Sequence, residues 1–239
     1  MTTEHSPLSA PGLVLRGFTP SLRLTDFKLI AFDMDSTLID IECIDEIADA
    51  VGKKTEVAAI TEATMRGEIR DFRESLTRRV ALLEGVPVTA LQQVYDQRLH
   101  LNPGAETLVS ACKAAGMKVL LVSGGFTFFA DRVKARLGID FMRANLLEES
   151  AGKLTGRVTT QSWGDICDGA EKRRTLLELA SLMGIDAAQT IAVGDGANDL
   201  PMMGAAGLSV AFHAKPKVRG QAMVAIDEGG LDRLLEVLV

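Results

Sequence analysis

Four times the sequence builds a short apolar run and breaks it at a turn: residues 27–32, 118–122, 190–193 and, more weakly, 208–211. Runs this short and this apolar suit strands buried on both faces. The first three lead directly into acidic or small residues: Asp33-Met34-Asp35, Ser123-Gly124-Gly125 and Gly194-Asp195-Gly196. Helical spacing fills the intervals, with Leu108, Cys112 and Ala115 before the second run and Leu176, Leu177, Leu179, Ala180 and Met183 before the third. Strands alternating with helices predict an α/β fold, a parallel sheet covered on both faces. Such sheets bind ligands beyond the carboxyl ends of their strands. Three tails that lie far apart in sequence should therefore share one crevice.

The stretch between the first and second runs is too long for one crossover helix. Ile44, Ile47, Ala48 and Val51 form an apolar stripe closed by Gly52; Phe72, Leu76, Val80 and Leu83 form another, ended by Gly85 and Pro87. They predict a helical cap at 41–100, inserted into a core of 27–40 and 101–239 and preceded by an arm at 1–26, whose first 20 residues are loose. Residues 145–158, with Gly152 at the turn, predict a small β-hairpin.

A formal net charge of −6 and the lack of a long basic run argue against a nucleic-acid partner. An acidic chain that handles an anion must neutralise it locally, and a bound cation is one way to do so. Cys43, Cys112 and Cys167 are far apart and odd in number, which predicts buried thiols in a reducing cytosol. His5, His100 and His213 are equally scattered and suggest no metal cluster. With no apolar stretch that would span a bilayer and no signal-peptide pattern, the expectation is a soluble cytoplasmic protein with no membrane partner.

Asp33-Met34-Asp35-Ser36-Thr37 carries the most chemistry. Two carboxylates in one site repel unless a cation compensates, and Mg²⁺ does so through oxygen ligands. One carboxylate can then attack phosphorus to give an acyl-phosphate. The other can protonate the leaving oxygen and later deprotonate water. The same residues also suit a loop of solvated acids. In Gly194-Asp195-Gly196-Ala197-Asn198-Asp199 the glycines allow a sharp turn. Asp195 would complete the metal shell, Asp199 would support it, and Asn198 could donate to a substrate oxygen; an ordinary Gly/Asn/Asp turn is the alternative. Ser123 and Gly124 could cradle phosphate or merely open a helix. Lys172 could clamp phosphoryl oxygens, or join Arg173 and Arg174 on a solvated basic face.

Together these motifs, with Leu38 after the first and Val122 and Phe126 around the second, resemble the haloacid-dehalogenase-like phosphatases and, within them, the phosphoserine phosphatases. The resemblance runs from about Phe27 to the C-terminus. It implies a Rossmann-like core with an inserted cap and hydrolysis of O-phospho-L-serine, the last step of serine biosynthesis. It also implies Asp33 as nucleophile, Asp35 as acid/base, and Mg²⁺ held by Asp33, Asp195 and the Asp35 carbonyl, with Thr37 and Asp199 in support. Ser123 and Lys172 would hold the phosphoryl group, and a cap glutamate and arginine, falling on Glu42 and Arg79, would read the amino acid. Read independently, Arg79 borders an apolar stripe, where a guanidinium suits a substrate carboxylate or a salt bridge. Glu42 opens the first cap helix, where it suits a substrate ammonium or the helix terminus itself. One departure is a spacing between Met65 and Phe72 that differs by one residue. Another is that only about 26 residues precede the first run, so no regulatory domain is implied. The rivals are the same chemistry on phosphohomoserine or a phosphorylated choline, and a non-enzymatic phospho-acceptor domain. The second needs neither Asp35 nor a cap.

Overall fold

The computed structural model describes residues 11–18, 22–65, 68–69 and 71–238. The first ten residues of the expected arm, and Arg66, Gly67 and Arg70 in the stretch with the spacing difference, lie outside them. In chain order the elements are β1 (Leu13–Leu15), β2 (Leu29–Phe32), α1 (Cys43–Ala50), α2 (Lys54–Met65), α3 (Phe72–Ala81), α4 (Val88–Gln97), α5 (Ala105–Ala114) and β3 (Lys118–Phe126). Then come α6 (Thr127–Leu137), β4 (Phe141–Ser150), β5 (Lys153–Thr159), α7 (Gly169–Leu182), β6 (Thr190–Gly194), α8 (Leu200–Met203), β7 (Leu208–Phe212), α9 (Pro216–Gln221) and β8 (Val224–Ile226).

One eight-stranded sheet runs in the order β1-β8-β7-β6-β2-β3-β4-β5, parallel from β8 to β4 and antiparallel at both margins. Its centre is apolar on both faces because side chains alternate along each strand. Ile30, Phe32, Val119, Leu121, Ile191 and Val193 enter one buried cluster. Leu29, Ala31, Leu120, Val122 and Ala192 enter another, against Leu176 and Met202. The four runs read from sequence are β2, β3, β6 and β7, with β2, β6 and β3 adjacent at the middle.

The structure departs from the sequence reading at three strands. Leu13–Leu15, inside the supposedly loose segment, pairs with β8 as an edge strand. Three residues are too few to show a period, and β1 exists only because β8 offers an edge. β3 does not stop at Val122 but continues through Ser123-Gly124-Gly125 to Phe126, with a shift of register against β4. Glycines mid-strand permit such an irregularity. The hairpin is longer than 145–158, and its β4 arm begins inside the parallel sheet.

Helices α1–α4 leave and return at one place. Asp40 N donates to His100 O at 3.1 Å and Asn102 N to Leu38 O at 2.9 Å, while Asn102 Nδ2 binds the carbonyls of Thr37 and Ile39. The far side is tied to the hairpin tip by Gly85 N→Leu154 O, Leu154 N→Val86 O and Val88 N→Gly152 O, at 2.8–3.0 Å.

Candidate active site

β2 ends at Asp33, whose N donates to Val193 O of β6 at 3.0 Å; its own Oδ1 accepts from Met34 N at 2.7 Å. The chain then turns tightly over Met34–Leu38, with Asp35 at ψ 134° and Ser36 at φ 56°. A non-glycine residue with positive φ persists only where its surroundings hold it. Here Ser36 Oγ donates to Glu42 Oε1 at 2.8 Å. The turn thus projects Asp33 toward β6, Asp35 toward α1 and Thr37 toward Asp195, with Thr37 Oγ1 3.3 Å from Asp195 Oδ1.

Lys172 comes from α7 and is fully buried, which removes the solvated-face alternative. Its Nζ lies 2.7 Å from both Asp33 Oδ2 and Asp199 Oδ1. Asp199 Oδ2 also accepts Gly196 N at 3.0 Å. Asp199 packs so tightly on the end of β6 that a Cβ on Gly194 would collide with it. Burial, the largest single influence on Lys172, works against its charge; Asp199 and Asp33 outweigh it and hold the ammonium protonated well beyond the ordinary range.

Carboxyl oxygens of Asp33, Asp195 and Asp199 lie within 4.8 Å of one another. Burial, then the charges of Asp33 and Asp199, push Asp195 up to about 8. Burial, then Asp33, push Asp199 up to about 6. One ammonium does not balance three clustered carboxylates, and the donors are all hard oxygens. That set fits a divalent cation that prefers oxygen ligands.

Asp35 is raised well above the carboxylate range by burial first, then by Glu42 and Asp33. A carboxyl kept protonated in this way can act as an acid. Beside it, Ser123 Oγ accepts from Gly125 N at 2.9 Å, and a Cβ on Gly125 would come within 3.2 Å of Asp35 Oδ2. Asn145, at the start of the hairpin, fastens this corner: Nδ2 donates to Gly124 O at 2.7 Å and Oδ1 accepts from Cys167 N at 2.8 Å.

A cavity of about 850 Å³ opens on these groups, lined by Asp33, Asp35, Ser123, Gly124, Asp195 and Asn198 from the strand ends. Glu42, Asp45, Phe72, Leu76 and Arg79 line it from α1 and α3. Arg79 Nε reaches Ser75 O at 3.4 Å, and burial lowers its pKa more than Asp45 and Glu42 raise it. Burial raises Glu42 despite its bond from Ser36, and raises Asp45 as well. Asp45 Oδ1 is buried without a hydrogen-bond partner among the described residues.

Of the sequence-selected residues, Asp33, Asp35, Glu42, Arg79, Ser123, Gly124, Asp195 and Asn198 line one cavity, while Lys172, Asp199 and Thr37 are buried behind it, Lys172 on Asp33 and Asp199 and Thr37 on Asp195. Sequence reasoning missed Cys43, Asp45 and Asn145. Asn145 gave one faint signal, a polar residue between apolar neighbours, which when buried must find partners. Among the described residues no helix is long and apolar enough to cross a membrane.

Known proteins share this arrangement. The curated phosphoserine phosphatase of Polaromonas sp. (strain JS666) is 69% identical over 229 residues, 96% of this chain and 97% of the relative. That of Albidiferax ferrireducens is 68% identical, covering 98% of both. A solved phospho-aspartyl intermediate analogue of phosphoserine phosphatase superposes with a TM-score of 0.82 at 39% identity, over 89% of this chain and 99% of that one. A substrate-bound phosphoserine phosphatase complex also superposes with a TM-score of 0.82, at 38% identity and the same coverage. The sequence model of haloacid dehalogenase-like hydrolases matches residues 30–204, and this chain belongs to that family.

Proposed function

We propose that the chain hydrolyses O-phospho-L-serine to L-serine and phosphate through an aspartyl-phosphate on Asp33, with Mg²⁺ as the cation. The observation that carries this reading is one cavity in which the Asp33/Asp35/Lys172 cluster faces Arg79 and the carboxylates of α1. A phosphate ester that also bears a carboxylate and an ammonium has a partner for each of its charges there.

Asp33 Oδ attacks phosphorus. The phosphorus–oxygen bond to serine breaks as the Asp35 carboxyl gives its proton to the departing oxygen. Serine leaves. Asp35, now a carboxylate, takes a proton from water as that water attacks phosphorus, and the bond to Asp33 breaks to release phosphate. Lys172 neutralises Asp33 and receives phosphoryl charge as it develops. Ser123, whose oxygen accepts from Gly125, keeps its O–H for a phosphoryl oxygen, with Gly124 and Asn198 beside it. Mg²⁺ bound by Asp33, Asp195 and the Asp35 carbonyl, with Asp199 and Thr37 behind them, would screen the approach of one anion to another. Arg79 takes the substrate carboxylate in a charge-assisted pair and Glu42 takes the ammonium.

In this reading 27–40 and 101–239 form the core, and 41–100 is a cap that excludes water during the first step. A cytoplasmic setting fits three buried free thiols. The test is phosphate release from O-phospho-L-serine, with and without Mg²⁺, against a panel of small phosphate esters. A metal-dependent preference for phosphoserine is expected. Metal-dependent release from the other esters but not from phosphoserine would remove the assignment of Glu42 and Arg79.

A further inference from the structure

Cys43, the first residue of α1, meets the Asp35 carboxylate twice: its N donates to Oδ2 at 3.2 Å and its Sγ to Oδ1 at 3.1 Å. Among the described residues no other group donates to that carboxylate. The amide is one of the N–H groups a helix start leaves without an internal partner, and the thiol is completely buried. Asp35 itself sits on backbone that has left helical geometry, next to the positive-φ Ser36. Its side chain therefore takes its aim from α1 rather than from its own turn. That aim is toward the phosphate corner, since Gly125 approaches Oδ2 too closely to tolerate a larger residue without adjustment.

We propose that Cys43 is a positioning residue, whose thiol and amide together orient the Asp35 carboxyl toward the oxygen of the leaving group. The inference rests on the reading of Asp35 as the acid. It gives a role to a thiol that the sequence marks only as a buried apolar filler. The amide donates whatever residue occupies position 43, so substitution isolates the share of the thiol.

The experiment compares wild type, Cys43→Ala and Cys43→Ser in the first turnover. The rate of serine release from O-phospho-L-serine is set beside that of p-nitrophenolate from p-nitrophenyl phosphate. A serine alkoxide needs the proton of Asp35, whereas p-nitrophenolate leaves without it. Cys43→Ala should slow serine release about tenfold with an unchanged half-saturating concentration, and p-nitrophenolate release by less than about twofold. Cys43→Ser, which keeps a donor, should restore most of the loss. Equal slowing on both esters, no slowing at all, or a serine variant as slow as the alanine one would overturn the proposal. If Cys43→Ala does not fold, Cys43→Val, which is apolar and leaves no cavity, takes its place. If the wild type cleaves another alkyl phosphate but not phosphoserine, the substrate reading fails on its own. The comparison with p-nitrophenyl phosphate on that alkyl ester then still decides the role of Cys43.

Discussion

The two walls of the cavity handle charge in opposite ways. At the strand ends two of the three clustered carboxylates are paired in place: Lys172 is fixed between Asp33 and Asp199, and Asp199 is capped again by Gly196 N, which leaves Asp195 outside the pair. On α1 and α3 charge is left waiting. Among the described residues Arg79 makes one hydrogen bond, to the Ser75 carbonyl, and Asp45 Oδ1 makes none. A buried pair with partners is preorganised and does not rearrange during reaction. A half-buried charge without one is an energetic debt that a ligand of opposite sign can cancel. On the proposed function the first wall serves the chemical step and the second serves recognition.

That contrast can be broken in order of effect. Asp33→Asn, which leaves Lys172 paired with Asp199, should lower kcat by about 10⁴-fold or more; near-normal turnover would refute the covalent route. Lys172→Met should destabilise the fold by about 3–5 kcal/mol in urea titration, because it strands two buried carboxylates. An unaffected midpoint would mean that the strand-end wall is not held by pairing. Arg79→Ala should raise KM for phosphoserine roughly 10- to 100-fold and barely touch p-nitrophenyl phosphate, as expected if it binds a carboxylate; equal losses on the two esters would assign it to the chemistry.

The last effect is electrostatic and is spread over several pH units. Asp195 is raised in the fold to about 8, so the native state holds a proton that the unfolded chain has already lost. Metal-free stability should therefore fall as pH rises from about 4 to about 8 and then level off, by at most about 1.4 kcal/mol per pH unit for one group. Added Mg²⁺ should raise Tm more at pH 8.5 than at pH 6, and Asp195→Asn should flatten the pH dependence. Metal stabilisation independent of pH would separate Asp195 from the cation.

Legibility in the sequence followed the same division. β2, β3, β6 and β7 were readable because strands buried on both faces need continuous apolar runs, and the acids at their ends could be placed by the topology of parallel sheets alone. β1 was not, since an edge strand of three residues depends wholly on its neighbour. Neither was α2, where Val57 is fully buried in a helix with no clear apolar stripe. The bonds of Cys43 to Asp35 and of Asn145 to Gly124 join residues 8 and 21 apart through backbone irregularities. No periodicity encodes such contacts. The motifs and the resemblance they carry singled out Asp33 and Lys172 as candidates, whereas nothing in the sequence singled out Cys43 and Asn145.

β4 begins as the outermost strand of the parallel sheet and ends, with β5, against the 85–88 loop that follows α3. The hairpin is therefore a second support for α1–α4, apart from the crossing at 39–40 and 100–102. Removing two residues from each arm would keep the pleat in phase and lower the attached helices by about 6.6 Å. A shortened hairpin is thus expected to change which phosphate esters can bridge the two walls, although no residue of its tip lines the cavity.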